Sequence, residues 1–212
     1  YTKDLQFEFI IKELEEFELF KYKELFVKNL KYFPYHDIDW RVLLLYVNRH
    51  FFIEDIKNNC NSEYYSYLDI GYFRYIDPTQ KYNINLDNLN KDQINLGKIN
   101  NQNNEVIKIE KIFINLSKYQ IEPLLKDIHL IGGGGNIIHN LNIKNWLKLY
   151  KQSLNEFFTK NIDFKDDQPI LINMFLKNKN LFKLIYGKVK NDTWFPFINY
   201  LQNKDFKEIE MY

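Results

Sequence analysis

Apolar positions recur along this chain with two different periods, and the change from one to the other marks out its elements. Phe7, Phe9 and Ile11 alternate with Glu8, Ile10 and Lys12, which predicts a short first strand. Leu19, Tyr22, Leu25, Phe26, Leu30 and Phe33 then fall at helical spacing, predicting a helix over about 18–33 that Pro34 ends. Trp40, Leu43, Leu44, Val47, Phe51 and Ile56 give the buried stripe of a second helix over about 37–58, capped by Asp37 or Asp39. The run Tyr64 to Leu68 reads as a buried strand, closed by Asp69, Ile70 and Gly71 in a tight turn.

Later segments are as clear. Val106 to Leu116 alternates loosely, as a strand does, and Ile128 to Ile131 leads into Gly132–Gly135. Trp146, Leu147, Tyr150, Leu154, Phe157 and Phe158 form the apolar stripe of an amphipathic helix that begins near Ile143. Asp166 or Asp167 can cap a further helix, with Pro169 in its first turn. Phe182 to Tyr186 reads as a strand turned by Gly187, and the aromatic segment Trp194 to Leu201 as packing back on the core.

Strands alternating with helices predict an α/β fold of three layers, in which ligands bind outside the carboxyl ends of the strands. Asp69, the glycine run and Gly187 all fall at predicted strand ends. The 212 residues read as one domain, 1–212, with an Asn-rich surface excursion at about 79–104.

Composition narrows the function. Apolar residues make up 45% of the chain, which excludes wholesale disorder. Lys and Arg number 29 against 28 Asp and Glu, so the basic excess of a duplex nucleic-acid binder is missing, and no nucleic-acid partner is expected. Cys60 is the sole cysteine and reads as an inert thiol near a turn, so a disulfide scaffold is excluded. No apolar run reaches the roughly 18–20 residues of a membrane span. A cytoplasmic location is the expectation.

Three segments carry candidate chemistry. Asp69, at the end of a buried strand, is suited to a hard divalent cation; Gly71 admits a close backbone approach and Arg74 a phosphate. The alternative is a turn aspartate bonding its own backbone. Four of the seven glycines stand together at 132–135, which implies either positive φ angles or close approach of another group, against a bland linker or bulge. Asp166, Asp167 and Gln168 place two carboxyls and an amide at a helix start, where plain capping is the competing role. His129 and His139 flank the glycines, whereas His36 and His50 read as ordinary core or surface histidines.

In this order the segments resemble a known family. Tyr67-Leu68-Asp69-Ile70-Gly71-Tyr72-Phe73-Arg74 resembles the Asp-x-Gly-x-x-Arg segment of the HtrL/YibB-like proteins. Gly132 to Ile138 with Trp146 and Tyr150 resembles their glycine segment and following helix, and Asp166 to Asn173 their Asp-Asp-Gln segment. The last also resembles the Asp-Gln-x-x-Leu-Asn signature of family 8 glycosyltransferases. The likeness spans roughly residues 35–201.

The resemblance implies a GT-A-like three-layer α/β/α sandwich with a mixed, mostly parallel sheet, its N-terminal strand lying upstream of Tyr1. It implies transfer of a sugar from a nucleotide-sugar donor to a glycan, lipid or protein acceptor. Carried over, Asp69 holds Mn²⁺ or Mg²⁺, while Gly71, Arg74, Gly133, Gly134 and Lys188 bind the donor. Asp167 contacts the sugar hydroxyls or acts as base, and Gln168 sits near the anomeric carbon. The third position of the acidic motif is Gly71, so that motif supplies no second metal carboxylate. The rivals are a non-catalytic relative used for binding or assembly, and a phosphotransferase or nucleotidase built on Asp69.

Overall fold

The computed structural model describes residues 10–32, 38–68, 85–98, 130–187 and 206–208. Among these are five strands, β1 (Tyr64–Leu68), β2 (Ile94–Lys98), β3 (Ile131–His139), β4 (Phe182–Gly187) and β5 (Phe206–Glu208). Five α-helices accompany them: α1 (Lys23–Asn29), α2 (Trp40–Asn48), α3 (Phe52–Asn59), α4 (Ile143–Thr159) and α5 (Gln168–Lys177).

The strands form one sheet in the order β1-β3-β2-β4-β5. β3 runs antiparallel to both β1 and β2, β4 and β5 are antiparallel, and β2 and β4 are parallel. The fold is α/β as expected, but a mostly parallel GT-A-like sandwich is overturned by these pairings. The reason is physical. Alternation of side chains fixes that a segment is extended but not which way it runs. The glycine run, read as a turn after a strand, is itself inside β3, the strand that opposes both neighbours.

One face of the sheet meets the helices. Tyr65 pairs with Ile138, Ile94 with Phe182 and Leu96 with Leu184, and all six join one apolar core with Val47, Trp146, Tyr150, Leu154 and Phe175 from the helices. The central strands are buried on the second face too, at Asn95 and Ile137. Asn95 fits there because its amide donates to the carbonyls of Ile137 and Asn90. β2 therefore runs through the centre of the sheet, within the stretch read as a surface excursion.

The predicted helix over about 37–58 is two helices separated by a 3-10 turn, Arg49–Phe51. Asp39 caps the first, accepting from Arg41 N at 2.8 Å. The predicted helix over about 18–33 is α1 flanked by 3-10 turns at Phe20–Tyr22 and Leu30–Tyr32. α4, α5 and β4 form where periodicity placed them. Residues 7–9 of the first predicted strand, the strand over 106–116, and Trp194 to Leu201 lie outside the described residues, and Ile10 to Lys12 form no strand.

Candidate functional site

β1 and β2 both oppose β3, and β4 is parallel to β2, so the carboxyl ends of β1, β2 and β4 share one edge of the sheet. Leu68, Lys98 and Gly187 end those strands there. Open, mostly parallel sheets bind ligands at such an edge, whereas here only β2 and β4 pair in parallel.

The most concentrated chemistry beside it comes from the turn after α2 and the start of α5. The turn carries Arg49 and His50 inward, leaving them 5% and 1% exposed. Two aromatics one helical turn apart on α4 hold it in place. Trp146 Nε1 donates to the carbonyl of His50 at 3.3 Å, and Tyr150 Oη to that of Val47 at 2.8 Å. Val47 lies in the last turn of α2 and His50 in the 3-10 turn after it, where carbonyls lack donors from a continuing helix. The His50 ring lies 4.7 Å from that of Tyr150 and 5.5 Å from that of Trp146.

Asp167, 1% exposed, receives three donors on a single oxygen. Arg49 Nη2 and Nε reach Oδ2 at 2.6 and 3.0 Å, and His50 Nε2 at 2.6 Å. Arg49 Nη1 donates to Tyr67 Oη at 3.1 Å, and its guanidinium lies 4.8 Å from the Tyr67 ring centre. Tyr67 is the penultimate residue of β1, so Arg49 ties the start of α5 to the carboxyl end of that strand.

The electrostatics follow from burial and partners. Burial opposes the charge on Asp167, but the Arg49 charge and the His50 hydrogen bond outweigh it and hold the carboxyl below its usual range. Burial pushes His50 down against the pull of Asp167, so the imidazole is neutral at neutral pH. A neutral ring facing a carboxylate donates from Nε2, which leaves Nδ1 an acceptor without a hydrogen-bond partner among the described residues. Arg49 stays charged, since Asp167 more than offsets its desolvation. Asp166 behaves oppositely to its neighbour. Burial, then the negative charge of Asp167, raise its carboxyl well above the usual range. It accepts from Gln168 N at 2.9 Å and from Gln168 Nε2 at 3.4 Å.

Of the residues singled out in the sequence, Asp167 and Gln168 stand together at the start of α5. Gly133 and Gly134 lie within β3, and Gly135 pairs with Leu68, the residue before Asp69. No glycine among the described residues has a positive φ. The glycines serve pairing instead: Leu96 pairs with Asn136 and Lys98 with Ile131, so two steps along β2 span five along β3. Strand segments without side chains tolerate such an irregularity and leave bare backbone at the edge. Asp69, Gly71, Arg74 and Lys188 lie outside the described residues.

Sequence reasoning missed Arg49, His50, Tyr67 and the fully buried Lys98 at the end of β2. A signal existed for His50. It falls seven residues after Leu43 and three after Val47, on the stripe that otherwise carries only apolar side chains.

An apolar groove of about 420 Å³ between Phe17, Leu45, Phe52 and Ile56, with the Lys12–Asp55 ion pair at its wall, shares no residue with this cluster. Among the described residues no helix is long and apolar enough to cross a membrane.

No curated protein and no solved structure matches the chain. One family model does, over residues 6–199, described as a bacterial protein of unknown function, HtrL_YibB. The stretch takes in β1 to β4, every described helix and the whole Arg49–His50–Asp167 cluster, and the chain belongs to the HtrL/YibB family.

Proposed function

We propose that this chain is the core of an enzyme that transfers a sugar from a nucleotide-diphosphate donor to a hydroxyl acceptor. One observation carries the reading: the Asp167–Arg49–Tyr67 network joins the Asp-Asp-Gln segment to the carboxyl end of β1, where Leu68 pairs with the glycine strand. Three distant segments of chain thereby meet at the carboxyl end of β1.

Such a transfer needs positive charge for the departing diphosphate and bare backbone for close approach. Lys98 at the end of β2 and the backbone of Gly132–Gly135 supply both in this reading, joined by Arg74 and Lys188. Arg49 and His50 hold the Asp167 carboxyl charged through Oδ2, so it orients Arg49 and the start of α5 rather than taking up a proton. Gln168 faces the anomeric carbon. The implied Mn²⁺ or Mg²⁺ would take Asp69. No group of three His, Cys, Asp or Glu among the described residues is arranged to hold a metal ion, and no step here is routed through one.

The test is release of nucleoside diphosphate from a panel of sugar nucleotides with Mn²⁺ or Mg²⁺, with melting temperature followed in parallel. Saturable release, and stabilisation by the same donor, are expected. Neither response to any donor would leave a non-catalytic binding protein, which the charge-balanced Arg49–Asp167 pair also suits.

A further inference from the structure

We propose that Asp166, rather than Asp167, takes the proton from the attacking hydroxyl; this rests on the transferase reading above. Lys165, Asp167 and Gln168 are 4%, 1% and 7% exposed, and Asp166 alone among these four reaches solvent in part. Its carboxyl is fixed by Gln168 from backbone and side chain, so it is oriented before substrate arrives. Its neighbour Asp167 holds Arg49 at 2.6 Å, which places Asp166 beside the cluster rather than on remote surface.

The cluster also holds a buried polar atom that its own side chains leave unsatisfied. His50 turns Nε2 to Asp167, and Nδ1 is without a partner among the described residues. Two adjacent carboxyls with environments that push their acidities apart are the arrangement that separates a fixed charge from a proton carrier. Asp167 is the fixed charge and Asp166 the carrier, its proton affinity raised toward neutrality.

The step balances. The hydroxyl oxygen of acceptor or water bonds to the anomeric carbon as its proton passes to the Asp166 carboxylate. The bond from that carbon to the diphosphate oxygen breaks, and its electron pair leaves with the diphosphate.

The experiment compares wild type, Asp166→Asn and Asp166→Glu across pH 5 to 9 (roughly two units either side of neutrality), the range in which a near-neutral base titrates. Nucleoside diphosphate release and calorimetric donor affinity are measured together, with melting temperature as the check on folding. Asn retains an acceptor for Gln168 N, so the helix start survives. Asp166→Asn should lower release by about 10²–10⁴-fold at unchanged donor affinity and abolish the rise of rate with pH, while Asp166→Glu keeps that rise. Release by Asp166→Asn within about threefold of wild type, with the same pH limb, overturns the assignment and leaves the transferase reading standing. Wild type that neither binds nor cleaves any donor removes both.

Discussion

Truncating Asp167 should unfold this protein more readily than any surface substitution, and the size of the effect follows from the contacts. The side chains of Arg49 and Asp167 are 5% and 2% exposed, so water cannot replace a lost partner. Asp167→Ala strands a buried guanidinium, which costs about 3–5 kcal/mol. It also orphans the His50 Nε2 donor, worth about 1–3 kcal/mol by itself, but the two losses share one oxygen and do not simply add. A net loss of about 4 kcal/mol lowers the melting temperature by roughly 8–16 °C in a domain of this size. Urea unfolding of Asp167→Ala, Arg49→Met and the double variant closes a cycle. The double variant should lose less than the sum of the singles by at least about 2 kcal/mol, because each single leaves the other charge buried and unpaired. A loss below about 1 kcal/mol for Asp167→Ala, or strict additivity, would refute the buried pair.

Three more expectations follow from the same contacts. Because the folded state raises the proton affinity of Asp166, its contribution is largest at acid pH and is lost as pH rises from the unfolded value near 4 through the raised folded value. Asp166→Asn should therefore be more stable than wild type at pH 8, with the gap closing toward pH 4; a gap independent of pH in urea titrations would count against it. Gly133→Ala and Gly134→Ala should change stability by less than about 1 kcal/mol, since the backbone there is extended, yet weaken donor binding in calorimetry. Asn173 donates to Ser153 Oγ and Glu156 Oε2, both at 3.0 Å, joining α5 to α4, so Asn173→Ala should cost about 1–3 kcal/mol in the same unfolding assay.

What the sequence made legible was whatever a side-chain period encodes. The stripe from Trp146 to Phe157 lies buried in α4, and Pro169 sits in the first turn of α5. The 3-10 turn at Arg49–Phe51 escaped notice because three residues per turn hardly disturb the apolar spacing between Val47 and Phe51. β3 escaped because four glycines have no side chains to alternate. β2 escaped because Asn95 sits where an apolar residue belongs, its amide N–H donating to the carbonyl of Ile137 on β3, a partner that only the assembled sheet supplies. The site shows the same limit. Asp167 and Gln168 were visible as an acidic helix start, but Arg49 and His50, 118 and 117 residues distant in the chain, become partners of Asp167 only through folding.

A crystal structure with a nucleoside diphosphate bound tests the account most directly. The diphosphate is predicted at the carboxyl edge shared by β1, β2 and β4, against the backbone of Gly132–Gly135 and within reach of Lys98. A diphosphate seated away from that edge, for instance in the groove of Leu45 and Phe52, would contradict it.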